Sequence, residues 1–280
     1  MHIIQYIFYK YRGAKMYISS RGDRYGANSI PYISALFLSD CKNIPLYHNC
    51  DHNCHKYKNT IIHQYLEKKT NPTTDQTIIN NNLHKDGSIW NYYITNQIHG
   101  HLNKTFPDVF HDSPIFHELR SMYFDKYGTN SITSNATVIH VRLDDLFSHG
   151  TKNQEFIGTD NLVKLIDRAQ EMFNTEIFLI TSPNQRDKDL CQGAIEKSNY
   201  SPESITHHVL GSNDIDYDIF LMLTSKHLIT SRSTFSFIPA LLSNNNKYAY
   251  CEWSHYFHLL GTYDLKCSLF PVVDFLQDAA

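Results

Sequence analysis

The sequence predicts an α/β fold with parallel sheets, arranged as two halves facing a cleft. Three observations carry that expectation. From residue 137 onward, short apolar β-type runs alternate with segments of helical periodicity, the pattern of parallel strands joined by right-handed crossovers. Near the N-terminus a strand, a glycine-containing loop, a helix and a second strand follow one another, which is the opening of a nucleotide fold. Several strands also end in polar residues, at the sheet edge where ligands bind in open α/β folds.

Composition sets the outer limits. The 280 residues suit one large or two medium domains, and 41% hydrophobic residues supply real cores. A net charge of −3 offers no basic field, so no nucleic-acid partner is expected. The apolar start, Met1 and His2 through Lys10, lacks a basic leader and a small-residue cleavage site. No run approaches the roughly 20 apolar residues of a membrane span. The expectation is a soluble, cytoplasmic protein, without stable membrane insertion. Six cysteines in a chain of this length do not demand disulfides.

In the first half, residues 15–19 read as a strand and 20–28 as a loop carrying Gly22 and Gly26. Residues 29–40 read as a helix, with Ser29 as N-cap, Pro31 in the first turn and Ile33, Leu36 and Phe37 on one face. Residues 44–48 are a second strand. His48, Cys50, Asp51, His52, Cys54 and His55 offer metal donors, but without a second pair at zinc-finger spacing, and no bound metal is expected. Residues 60–88 read as a polar surface excursion and 89–102 as helical. Ser113 and Pro114 open a helix through Tyr123 or beyond, with Ile115, Leu119, Met122 and Tyr123 inward. Residues 128–135 form a polar linker. The expected domains are 1–132 and 133–264, with a tail, 265–280, packing back on the first.

In the second half, strands are expected at 137–143, 176–181, 206–210, 227–230 and 247–251. The helices between them are expected at 160–173, 187–197, 215–225 and 234–242. On the first of these strands, alternation places Val138, His140 and Arg142 on one side and Ile139, Val141 and Leu143 on the other. The strand thereby delivers an imidazole and a guanidinium towards its carboxyl end. Arg is suited to phosphate, because its planar fork donates two parallel hydrogen bonds. An Arg–Asp pair of the strand end with Asp144 or Asp145 is the plain alternative. Ser233 and Thr234 open a helix, where free N–H groups and the dipole favour an anion, or where Ser simply caps. Thr181 and Ser182 close a third strand. These polar ends converge on one edge.

The motifs then become more specific. His140-Val141-Arg142-Leu143-Asp144-Asp145 resembles the H-x-R-x-x-D motif of the GDP-fucose-dependent glycosyltransferases, the α1,2/α1,6/protein O-fucosyltransferase superfamily. The block from Asp218 through Ser233, Thr234, Phe235 and Ser236 resembles that superfamily's helix, short strand and S-T-F-S. Arg24-Tyr25-Gly26-Ala27-Asn28 is similar to its R-x-G-N loop, and Thr181 and Ser182 sit where it has another nucleotide-facing turn. Order and spacing agree over roughly residues 17–250. The departures are Leu143 in place of a second basic residue, the inserted Ala27, and Phe237-Ile238 after S-T-F-S.

The resemblance implies a GT-B-like fold, two Rossmann-like domains with the acceptor on the first and GDP on the second. It implies a metal-independent, inverting fucosyltransferase that moves fucose from GDP-fucose to a glycan acceptor, with no cofactor beyond that donor. Arg142 carries over as the pyrophosphate ligand, and His140 and Asp145 as its motif partners. Asp23, Asp145 and His140 are the candidates for the base. Gly26, Asn28, Thr181, Ser182, Asp218, Ser233, Thr234, Phe235 and Ser236 carry over to the donor side. Two alternatives stand beside this reading. One is a metal-dependent transferase using Asp214, Asp216 and Asp218 as a D-x-D cation site. The other is a non-catalytic nucleotide-sugar or glycan-binding module of the same fold.

Overall fold

The structure is a computed structural model describing residues 16–19, 25–43, 45–49, 57–72, 111–143, 158–199, 207–231, 233–244, 246–249 and 267–269. It divides into two compact units, residues 1–123 and 124–258 for the most part. The division falls inside a helix, upstream of the expected boundary at 132.

The first unit holds a three-stranded parallel sheet, β1 (Met16–Ser19), β2 (Leu46–Asn49) and β3 (Asn71–Pro72), in the order β1-β2-β3. Helix α1 (Tyr25–Lys42) connects the first two strands. It begins before the expected N-cap Ser29, whose hydroxyl instead donates to the Tyr25 carbonyl from within the helix, at 2.8 Å. Helix α2 (Ile61–Lys69) follows, in a stretch the sequence reading assigned to a surface excursion. Its Ile61, Ile62, Tyr65 and Leu66 are buried, so a narrow apolar stripe holds the helix on the unit despite polar flanks. The expected helix at 89–102 lies outside the described residues.

Helix α3 (Pro114–Tyr127) starts as its sequence predicts, with the Ser113 hydroxyl accepting from the Phe116 N–H at 3.2 Å. Its last turn belongs to the second unit, where the Phe124 and Tyr127 rings lie 5.8 and 5.2 Å from that of Phe220.

The second unit is a six-stranded, wholly parallel sheet. Its strands are β4 (Thr137–His140), β5 (Ile177–Ile180), β6 (His207–Leu210), β7 (His227–Thr230), β8 (Asn246–Ala249) and β9 (Cys267–Leu269). Their order is β6-β5-β4-β7-β8-β9. Relabelled from β4, that is 3-2-1-4-5-6, the doubly wound order whose direction reverses between its first and fourth strands. Helices α4 (Thr159–Phe173) and α5 (Gln185–Lys197) cover one face, burying Leu162, Leu165, Ile166, Ala169, Cys191 and Ala194 against Ile139, Val141, Ile177, Leu179 and Ile229. Helices α6 (Ile215–Thr224) and α7 (Thr234–Leu242) cover the other. There Leu221, Met222 and Ala240 meet Val138, Phe178, Ile180 and Leu228. Both faces of these strands are thus covered, as their continuous apolar runs require. The alternation read for β4 holds, with Ile139, Val141 and Leu143 in one core and Val138 in the other. Strand β9 lies within the segment expected to return to the first domain. It pairs with β8 instead, because the exposed edge of β8 offers its unpaired backbone groups.

Among the described residues, no helix is long and apolar enough to cross a membrane.

Candidate functional site

Parallel strands bring all their carboxyl ends to one edge. Ile180 pairs with His140 on one side and Leu210 on the other, so β4, β5 and β6 end level. The ladder runs one step further, with Val141 N–H donating to the Ile180 carbonyl at 2.8 Å and Thr181 N–H to that of Leu210 at 3.0 Å. On the far side Ile139 pairs with Ile229, so Ser231 emerges from β7 beside the end of β4. Residues 141–143, 181–182, 211–212, 231 and 233 therefore occupy one edge, around the point where the strand order reverses.

His140 sits at that reversal. It is 6% exposed, and its Nδ1 is 2.5 Å from the Ser231 hydroxyl oxygen, a hydrogen bond from β4 to the end of β7. The Phe235 ring lies 5.5 Å away, centroid to centroid. Burial, and then the nearby Arg142 charge, push the imidazole pKa down to about 3, so His140 is neutral at physiological pH. Arg142 is half-buried, two residues past the end of β4.

The loop from β7 into α7 is tightly held. Ser233 N–H donates to the Ser231 carbonyl at 2.8 Å, and the Ser236 hydroxyl reaches the Ser231 and Ser233 carbonyls at 3.3 and 3.1 Å. The Ser233 hydroxyl oxygen accepts from Phe235 N–H at 3.2 Å, the capping role that Ser has at a helix start. Its own proton is left for another acceptor. Thr234 is placed as the first residue of α7.

In the loop after β5, Ser182 donates to Asp187 Oδ2 at 2.6 Å, so this hydroxyl, expected on the donor, faces the first turn of α5, whereas the Thr181 hydroxyl is buried without a hydrogen-bond partner among the described residues. Gly211 follows β6 and lies against the same loop. A Cβ there would stand 2.5 Å from the Thr181 carbonyl oxygen and 2.7 Å from that of Ser182, so only glycine allows this approach. Asp218 is buried and accepts the Ser212 N–H on both oxygens at 3.2 Å. Burial raises its carboxyl pKa to about 7, against the lowering effect of the Ser212 bonds.

The three aspartates of the D-x-D alternative do not gather. Asp214 caps α6 and accepts the Tyr127 hydroxyl at 2.7 Å, Asp216 pairs with Lys126, and Asp218 turns to Ser212. Lys126 also stands 3.7 Å from Asp214 Oδ1, so capping, one shared lysine and the Ser212 N–H occupy these carboxylates around the first turn of α6. Among the described residues, no three or more of His, Cys, Asp and Glu are grouped to hold a metal ion. Within the expected His/Cys cluster, His48 is buried with ring centroids 5.5 Å from Tyr32 and 5.6 Å from His63. Cys50, Asp51, His52, Cys54 and His55 lie outside the described residues, as do Asp23, Asp144, Asp145 and Arg232.

Gly26 and Asn28 were expected in a loop. They lie in the first turn of α1, which starts at Tyr25. Ser231 lies within the block from Asp218 to Ser236 that the sequence marks for the donor, without a role of its own; Gly211 was not singled out, and its place immediately past an apolar strand is the signal that could have found it.

No protein-family model matches the chain, and neither does any curated protein. Among solved structures, the chain is similar to the E. coli heptosyltransferase WaaC with ADP. The TM-score is 0.47 at 7% identity, over 95% of this chain and 100% of that one. It is also similar to E. coli ADP-heptose lps heptosyltransferase II, with a TM-score of 0.44 at 11% identity, over 91% of this chain and 90% of the other.

Proposed function

We propose that this chain is a glycosyltransferase of the GT-B-like class that holds a nucleoside-diphosphate sugar at the carboxyl edge of its second sheet. The observation that carries the reading is the His140–Ser231 bond across the strand-order reversal, with Arg142 beside it. An open α/β sheet binds ligands at such a reversal. A guanidinium there suits a diphosphate, and the start of α7 adds its dipole.

The donor we propose is GDP-fucose and the acceptor a glycan hydroxyl, in line with the H-x-R-x-x-D and S-T-F-S resemblance. The bond between the sugar's anomeric carbon and the β-phosphate oxygen breaks, and its electron pair leaves with GDP. Arg142 stabilises the charge that grows there, a role a metal fills in other transferases. The acceptor oxygen bonds to the opposite face of that carbon, inverting it, and its proton passes to a carboxylate, for which Asp23 and Asp145 are the candidates.

The test is incubation with a panel of nucleotide sugars and glycans in EDTA, reading nucleotide release and glycan mass. GDP release from GDP-fucose with a matching mass gain on a glycan is the expected result. Equal turnover of UDP- or ADP-sugars would remove the fucose assignment. Binding without any turnover would leave a binding module.

A further inference from the structure

Two buried polar atoms face the space between the end of β5 and the first turn of α5. Alternation along β5 sends Ile177 and Leu179 to the core beneath α4 and α5, and Phe178 and Ile180 to the other core. Thr181 continues the ladder, since its N–H donates to the Leu210 carbonyl, so its side chain falls on the α5 side. The inward line of α5 is Asp187, Cys191 and Ala194, all buried. Three residues separate Thr181 from α5, so Asp187, in the first turn, comes back over the strand end. Ser182 reports the same approach. Its hydroxyl donates to Asp187 Oδ2 at 2.6 Å and accepts from the Asn184 N–H at 3.3 Å.

That bond uses one oxygen of the carboxylate. Asp187 Oδ1 and the Thr181 hydroxyl are buried without a hydrogen-bond partner among the described residues, Asp187 at 1% exposure and Thr181 at 4%. An unmet polar atom in an interior costs stability, and a charged one costs more. The two are complementary, because a carboxylate oxygen accepts and a hydroxyl donates. They are not bonded to each other, so a link between them needs a third group that accepts from one and donates to the other. Enclosure this complete suits a group as small as water, which takes about two to four polar partners in an interior. Cys191 lies one turn further along the same line of α5. Burial, and then the Asp187 charge, push its thiol up to about 12, so it stays neutral and its sulfur offers a weak acceptor.

We propose that one buried water bridges Thr181 and Asp187, accepting the Thr181 O–H and donating to Asp187 Oδ1. It ties the end of β5 to the first turn of α5 from beneath. The loop it holds is the one whose Thr181 and Ser182 carbonyls lie against Gly211, so the water fixes the β5 side of the carboxyl edge. This assignment is independent of the donor reading above, and its failure would leave that reading untouched.

A crystal structure of the native chain, at a resolution that orders internal solvent, tests the site directly. The expected result is one water peak roughly 2.6–3.2 Å from both Thr181 Oγ1 and Asp187 Oδ1. A direct bond between the two side chains, or no peak there, overturns the proposal. Melting curves of Thr181→Val, Asp187→Ala and the double variant test it in solution. Valine keeps the branched shape of threonine and lacks the hydroxyl. With the bridge, Thr181→Val should lower the melting temperature by about 2–4 °C, the scale of one net hydrogen bond in a domain of this size. Without it, the same change removes an unmet hydroxyl and the melting temperature holds or rises, which overturns the proposal. In the Asp187→Ala background the bridge has already lost its acceptor, so Thr181→Val should shift melting by under about 1 °C. Equal shifts in the two backgrounds overturn it as well. If Asp187→Ala does not fold, the water peak and the direction of the Thr181→Val shift decide.

Discussion

Lys126 Nζ lies 3.1 Å from Asp216 Oδ2, joining the last turn of α3 to the first turn of α6. The two partners are unlike in exposure. Lys126 is 40% exposed and Asp216 only 2%, so the bridge matters for the carboxylate more than for the amine. Tyr127 adds its hydroxyl bond to Asp214 and its ring on Tyr217 at 5.4 Å. Together they latch α3 to the helix that follows the β6 loop.

Lys126→Met should therefore destabilise the chain by about 1–3 kcal/mol, because it leaves a buried carboxylate without its cation. Tyr127→Phe should cost less, about 1 kcal/mol, since one hydrogen bond is lost and the ring stays. Urea unfolding of the two variants checks the order, and equal stability of Lys126→Met and the native chain would contradict it.

Asp218 makes stability depend on pH in an unusual direction. Its folded pKa, about 7, lies above the ordinary aspartate value because of burial. Between about pH 4 and 7 the folded chain then binds more protons at this site than the unfolded one. The contribution is favourable below that window and declines as pH rises through it, levelling off above about 7. Asp218→Asn should remove this component. The unfolding free energy of the native chain should fall relative to that of Asp218→Asn as pH rises from 4 to 7, and a constant difference would show that Asp218 titrates normally.

Gly211→Ala should act at the same edge through geometry alone. The added methyl meets two backbone carbonyl oxygens, which cannot rotate away as a side-chain tip could. The loops after β5 and β6 must part, at a cost of about 1–3 kcal/mol. A melting curve checks it, and a native-like melting temperature would mean that the two loops yield freely.

The centre of the second sheet was legible because β4, β5 and β7 are buried along their whole length and α4 is amphipathic, so apolar runs, periodicity and polar stops marked these elements. β7 and α7 fall where Thr230 and Ser233 placed them. The first unit was less legible. The stripe of α2 is four residues within a polar segment, and its helical spacing was masked by the composition around it. Missing α2 also hid the role of His48, whose neighbour His63 lies on that helix. At the site, Arg142 and His140 could be read from β4, but the partner of His140 is 91 residues away and depends on strand order. Nothing local in the sequence states that β7 lies beside β4. Capping explains why Ser233 serves its own helix, and Asp187 explains why Ser182 does the same, a competition that residue type alone does not resolve.

The most direct measurement is the affinity of GDP for the native chain and for Arg142→Lys, by calorimetry in EDTA beside melting curves of both. Lysine keeps the charge but loses the bidentate fork. GDP should bind the native chain without metal and more tightly than UDP, CMP or ADP. Binding should be at least tenfold weaker in Arg142→Lys, about 1.4 kcal/mol, with little change in melting temperature. Equal GDP affinity in the two chains would contradict a diphosphate ligand at Arg142 and leave that residue as part of a strand-end ion pair.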